Sequence, residues 1–110
     1  MRRDVFQAIA DPNRRAILYL VAGQKLTINE VAEYFAISRP AISRHIKILA
    51  ECGLLVIHQQ GRERTVEVRM DRLNEVSDWV ERYRLAWEER FDRLDEIIKG
   101  VQNEDKKKKL

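Results

Sequence analysis

The sequence predicts a mostly α fold: a winged helix-turn-helix with a two-stranded β-wing and a long C-terminal dimerisation helix. Three observations predict it. The stretch from Thr27 to Gly53 reads as two short amphipathic helices joined by a tight turn. Two alternating apolar runs on either side of Gly61 follow at once and read as a hairpin. Residues 72–100 then carry an apolar stripe near heptad spacing, longer than a chain of 110 residues can cover by itself.

Length and composition set the frame. One hundred and ten residues suit one domain, and 45% hydrophobic residues suffice for a core. A small core buries a limited share of its surface, so support from a second subunit is expected. The net charge of +3 is unevenly spread: residues 1–70 hold 11 Lys/Arg against 7 Asp/Glu, residues 71–105 hold 6 against 11, and Lys106–Lys109 add four more positive charges. The central part is therefore the candidate for nucleic acid, and the acidic segment is not. The lone Cys52 excludes an intramolecular disulfide and a cysteine-only metal cluster, and suits a reducing, cytoplasmic setting. Met1-Arg2-Arg3 leads into an amphipathic stretch, so no signal peptide is expected. No window approaches 18 uninterrupted apolar residues, so no membrane partner is expected either.

The elements follow in order. Asp4 to Ala10, with Val5, Phe6, Ile9 and Ala10, reads as a short amphipathic helix. Asp11-Pro12 starts a second: Asp accepts from the free N–H groups, and Pro tolerates the first turn. It runs to about Ala22, with Ile17, Leu18, Leu20 and Val21 for the core, and Gly23 stops it. Thr27 and Glu30 form a capping box for the third helix, whose apolar stripe is Val31, Ala32 and Phe35. Ala36-Ile37 make the turn. Ser38 caps the fourth helix, Pro40 lies in its first turn, Ile42, Ile46 and Leu49 face inward, and Gly53 ends it with a left-handed cap. Leu54–Gln59 and Arg64–Arg69 read as strands, with Gln60-Gly61-Arg62-Glu63 between them. Asp71 caps the last helix, from Arg72 to about Gly100, with Leu73, Val76, Val80, Tyr83, Trp87, Leu94, Ile97 and Val101 along its seam. Trp79, Tyr83, Trp87 and Phe91 add an i,i+4 aromatic ladder, which reads as dimer core or as the lining of a small-molecule pocket. Asp78–Arg82, Glu89–Arg93 and Asp95–Lys99 are favourable exposed pairs. The domain thus spans 1–101, and 102–110 reads as a disordered basic tail.

The fourth helix carries the chemistry. Opposite its apolar back stand Arg39, Ser43, Arg44 and Lys47, a face that fits a major groove. Arg39 and Arg44 offer forked donors to guanine or phosphate. Ser43 suits either. Pro40 and Ala41 can touch a thymine methyl group, and Lys47 suits phosphate. A solvated helix face is the plainer alternative. Arg62 and Arg64 at the wing tip can enter a minor groove or bridge phosphates. Ser38, Ala41, His45, Arg14 and Arg15 are secondary candidates. His45 reads first as a half-buried hydrogen-bonding residue, and Arg14 and Arg15 as backbone supports or surface charge. Cys52 reads as a packed small hydrophobe. No catalytic set, phosphate loop or metal-ligand cluster is present, so neither an enzyme nor a cofactor is expected.

These stretches resemble the ArsR family of bacterial winged-helix repressors. The resemblance rests on the run from Phe6 to Leu18, on Leu26–Phe35, on Ser38–Leu49 and on Gly61-Arg62-Glu63-Arg64, and it covers nearly all of 3–100. The pattern Trp79, Tyr83-Arg84, Trp87-Glu88, Arg90, Arg93-Leu94 is similar to a branch that does not sense metals. Metal-sensing members carry cysteines where this chain has Val31 to Phe35, or His on a last helix that here has none. The resemblance implies a homodimeric repressor on a palindromic operator in double-stranded DNA, cytoplasmic and held on the nucleoid when bound. It pairs the first and last helices across a two-fold axis, which puts Val5, Phe6 and Ile9 with Leu73, Val76, Val80, Tyr83, Trp87 and Leu94 at the interface. A winged-helix protein–protein module and a ligand-gated sensor are the alternatives, and the sequence names no small-molecule effector.

Overall fold

The computed structural model describes residues 4–108 and, of these, the side chains of 4–104. The elements are α1 (Val5–Ile9), α2 (Pro12–Val21), β1 (Leu26–Thr27), α3 (Ile28–Glu33), α4 (Arg39–Glu51), β2 (Leu55–Gln60), β3 (Glu63–Val68) and α5 (Leu73–Lys108). The chain divides into two compact units, Met1–Val76 and Ser77–Leu110.

Local chemistry sets the helix starts in the first unit. Asp4 and Gln7 form a reciprocal capping box on α1, a signal that sequence reading passed over. Asp11 accepts from the N–H groups of Asn13 (2.8 Å) and Arg14 (3.1 Å). Thr27 and Glu30 bond each other's backbone at 3.1 Å, as the spacing predicts. Ser38 accepts from Ala41 N–H at 3.3 Å.

The end of α4 is a Schellman motif. Gly53 N–H donates to Ala50 C=O (3.0 Å) and Leu54 N–H to Leu49 C=O (2.9 Å), with Gly53 at φ +78°. Leu49 and Leu54, the apolar pair that accompanies such a cap, are both fully buried. This cap explains why β2 starts one residue later than expected: the Leu54 N–H is already spent on the helix. The hairpin turn is tighter than expected too. Gln60 and Glu63 are paired, so the loop is Gly61-Arg62 alone. Gly61 has φ +61° and no non-glycine residue has positive φ among the described residues, which is the type II′ pattern.

The sheet has three strands, not two, in the order β1-β3-β2, all antiparallel. Leu26 and Ile57 both register with Val66, and Leu55 with Val68, so one face of the sheet meets the helices. Ala8, Ile17, Val31, Ile42, Ile46, Leu49, Leu54 and Val66 are completely buried, and among the described residues no buried polar side chain interrupts this core. Cys52 belongs to it as a packed small residue. Val5, expected at a subunit interface, is instead 3% exposed and belongs to this chain's own core. Ile9, Leu73 and Val76 pack partly against the same core, while Phe6 is on the surface. The capping Asp4 sets this: it starts α1 so that Val5 and Ala8 turn into the core, while Phe6 lies on the surface.

The described residues of the second unit all belong to α5. α5 begins at Leu73, one residue later than expected, with Asn74 N–H donating to Met70 C=O and Glu75 N–H to Arg72 C=O. It runs 36 residues, about 54 Å at 1.5 Å per residue. The expected end at Gly100 and disordered segment from 102 are not what the backbone does: it stays helical to Lys108, while Lys109 and Leu110 lie outside the described residues. A single glycine costs a helix about 1 kcal/mol and the following lysines are good helix formers. Glu89–Arg93 and Asp95–Lys99 pair at 3.6 and 3.2 Å, whereas Asp78–Arg82 does not; Arg84 bridges Glu81 (2.6 Å) and Glu88 (3.1 Å) instead. The Glu81 hydrogen bond, then the charges of Glu81 and Glu88, push the Arg84 guanidinium further above its ordinary value.

Candidate nucleic-acid interface

α4 is two-sided because its apolar residues recur at helical spacing. Ile42, Ile46 and Leu49 are turned fully inward. Arg39, Ser43 and Lys47 therefore form one outward line four residues apart, and Pro40 and Arg44 the line beside it. Arg39, Pro40, Arg44 and Lys47 are exposed, while Ser43 and Ala41 are half-buried. Ser38 is exposed, but its hydroxyl is occupied by the cap.

The wing stands beside this line. One groove is lined by Ser43 and Lys47 from α4 and by Gln59 and Arg64 from the hairpin, over a floor of Ile28, Ile46 and Ile57. A second, adjoining cleft is lined by Thr27, Asn29, Arg39, Arg62, Glu63 and Arg64. The fold thus gathers Arg39, Ser43, Lys47, Arg62 and Arg64 along one open surface. Two members were missed in the sequence. Gln59 carries a readable signal, since it lies two residues beyond Ile57 on a strand and so shares its face. Asn29 carries none, because its place beside Arg39 depends on how α3 meets α4.

Arg39 is held before any ligand arrives. Its Nε donates to Asn29 Oδ1 at 2.7 Å, and its Nη1 donates to Ser43 Oγ. Arg44 and Lys47 make no side-chain contact of this kind among the described residues.

The secondary candidates go elsewhere. Arg14 donates from Nε to Ala8 C=O (2.6 Å) and from Nη2 to Gln7 C=O (3.1 Å), and its Nη1 lies 3.3 Å from His45 Nδ1. Arginine has donors only, so a hydrogen bond here needs Nδ1 as the acceptor. Arg15 donates from Nη1 to the carbonyls of Ile9 (2.8 Å) and Ala10 (3.1 Å). Both arginines thus satisfy the last carbonyls of α1, a common use of a cation at a helix C-terminus. His45 is half-buried and hydrogen-bonded, and Arg14 ties α1 to α4 through it. Beneath them, partial burial pushes the Asp11 carboxyl upward, but the N–H bonds from Arg14 and Asn13 and the nearby His45 and Arg14 hold it below its ordinary value.

On the back of the wing His58 Nε2 lies 2.9 Å from Glu67 Oε2, with Lys25 Nζ at 3.8 Å from the same oxygen. Among the described residues no three His, Cys, Asp or Glu are grouped to hold a metal ion, and no helix is long and apolar enough to cross a membrane. In the second unit the aromatic ladder forms as spaced: Trp79 stacks on Tyr83 at 5.3 Å, Tyr83 meets Trp87 edge-on at 5.9 Å, and Trp87 meets Phe91 at 5.7 Å. Val80, Tyr83, Trp87 and Leu94 are 40–52% exposed.

Residues 11–56 match the arsR family of bacterial regulatory proteins. The chain is similar to the transcriptional repressor SdpR of Bacillus subtilis strain 168, 44% identical over 59 residues that make up 54% of this chain and 66% of SdpR. It is 36% identical over 63 residues to the HTH-type transcriptional regulator Rv2034 of Mycobacterium tuberculosis, covering 57% of this chain and 59% of that one. The matched part thus spans about two thirds or less of these curated relatives. Among solved structures, the ArsR-family transcriptional regulator RHA00566 superposes with a TM-score of 0.70 at 35% identity, over 76% of this chain and 91% of that one. An ArsR-like regulator from Rhodococcus sp. RHA1 superposes with a TM-score of 0.69 at 29% identity, over 84% of this chain and 88% of that one.

Proposed function

The chain belongs to the ArsR family of bacterial transcriptional regulators, and we propose that it is a sequence-specific DNA-binding repressor that works as a homodimer on a palindromic operator. One observation carries the reading. α4 turns Arg39, Ser43, Arg44 and Lys47 outward next to Arg62 and Arg64 of the wing, on a surface whose reverse side is core. Forked guanidinium donors and a hydroxyl suit base edges in a major groove, and the lysine and wing arginines suit the flanking phosphates and minor groove. The transcriptional repressor named among its relatives supports the same reading.

The exposed stripe of α5 supports the homodimer reading. A half-exposed stripe of Val80, Tyr83, Trp87 and Leu94 on a lone helix is unstable in water, and a second copy of the same helix matches it residue for residue. The two copies of α4 then meet successive major grooves about one duplex turn, roughly 34 Å, apart. Such a protein works in the bacterial cytoplasm, on the nucleoid when bound.

Selection of duplexes from a random library, followed by anisotropy titration of the enriched duplex against a scrambled one, tests the proposal. Preference for a palindrome, with two protomers per duplex, is expected. Equal affinity for both duplexes overturns it.

A further inference from the structure

Arg39 is gripped from two sides, and one grip comes from outside the recognition helix. A guanidinium has five N–H donors. One, on Nε, goes to Asn29 of α3, and one, on Nη1, goes to Ser43 one turn along α4. Three remain, one on Nη1 and both on Nη2. Because arginine cannot accept, Asn29 must present its amide oxygen, so the donor itself fixes the amide's orientation. Asn29 is exposed and makes no second side-chain hydrogen bond among the described residues. It does nothing for the core and nothing for the α3 cap, which Thr27 and Glu30 complete.

Two physical reasons make this grip matter. An exposed arginine loses rotamer freedom when it binds, and a side chain ordered in advance loses less. Arg62 and Arg64 also line the cleft that Arg39 enters, with Glu63 the single carboxylate among them. Like charges drive Arg39 out of that cleft, and the two oxygens of Asn29 and Ser43 hold it there.

We infer that Asn29 is a positioning residue for base readout: it acts through Arg39, presenting the remaining donors of that guanidinium to a guanine edge of the operator. The inference rests on the DNA-binding reading above. Asn29 is not a base contact in its own right, and its effect exists only while Arg39 is present.

The test is a double-mutant cycle on the full chain, read by anisotropy on a library-selected duplex and a scrambled duplex at one salt concentration. Asn29→Ala lowers affinity for the selected duplex by about two- to twelvefold, the range for ordering one long side chain. It leaves affinity for the scrambled duplex and the melting temperature unchanged. In the Arg39→Ala background the same substitution has no further effect. Asn29→Asp, which keeps an acceptor oxygen, retains the ratio of selected to scrambled affinity. The inference is overturned if Asn29→Ala has no effect, if it weakens both duplexes alike, or if its effect persists without Arg39. A wild-type protein that binds both duplexes equally defeats the DNA-binding reading itself. A wild type that discriminates beside an Asn29→Ala variant that discriminates as well defeats only the role of Asn29.

Discussion

Replacing Gly53 tests the joint between the recognition helix and the wing. Gly53 sits at φ +78°, where an L side chain brings Cβ against the following carbonyl at a cost of about 1–2 kcal/mol. Alanine also stiffens the unfolded chain, which returns roughly 0.4–1 kcal/mol only where the native conformation suits it, and here it does not. A Cβ at this position lies 3.1 Å from Cγ and 3.3 Å from Nε of Arg72. Arg72 is an exposed, flexible side chain paired, among the described residues, with Glu75 alone, so it yields by a few tenths of an ångström at little cost. Gly53→Ala is therefore expected to destabilise by about 1–2 kcal/mol, nearly all of it backbone strain. Asn, which tolerates the left-handed region, costs less than Ala, and Val costs more. Urea denaturation measures this as a fall in midpoint at unchanged slope. A Gly53→Ala variant as stable as the parent, or an Asn variant less stable than the Ala one, refutes the assignment of Gly53 as a strained cap. Because Leu54 N–H leaves this cap before Leu55 begins β2, the same variant is expected to loosen the wing.

Further outcomes follow from the same geometry. Arg44→Ala is expected to weaken binding to the selected duplex by about 1–3 kcal/mol and relax base choice, whereas Lys47→Ala weakens all duplexes alike and lowers the salt slope by about one; a salt titration separates them. Asp11→Ala removes two N–H bonds from the start of α2 and is expected to cost about 1 kcal/mol. The Asp11 carboxyl is held below its ordinary 3.8, so its contribution is complete above that pH and is lost as pH falls through the lower folded value. Asp11→Asn keeps the cap but loses this acid dependence in urea midpoints measured from neutral to acid pH. Trp87→Glu places a charge in the middle of the α5 ladder and is expected to weaken self-association by at least 2 kcal/mol, about thirtyfold, in sedimentation equilibrium. An unchanged association constant places the dimer contact elsewhere.

Much of this molecule was legible because its signals are local. Asp11, Thr27, Ser38 and Gly53 each act on backbone groups within five residues, so spacing alone reveals them. The inward line Ile42, Ile46 and Leu49 leaves Arg39, Ser43 and Lys47 on the other side by helical geometry. β1 was invisible for the opposite reason: it is two residues long and exists only by pairing with Thr65 and Val66, far away in the chain. Arg14 and Arg15 look like free cations in the sequence, yet the carbonyls of Gln7, Ala8, Ile9 and Ala10 lie within reach once α1 folds back on α2.

Periodicity and caps, read from residue types alone, determine the helices, the hairpin and the polarity of α4, because each depends on neighbours a few positions apart. Tertiary packing decides what those surfaces meet: Val5 turned into the core, the wing arginines beside Arg39, and Asn29 bonded to its Nε. These depend on how whole elements sit against one another, and no local pattern encodes the distance between residues brought together by folding.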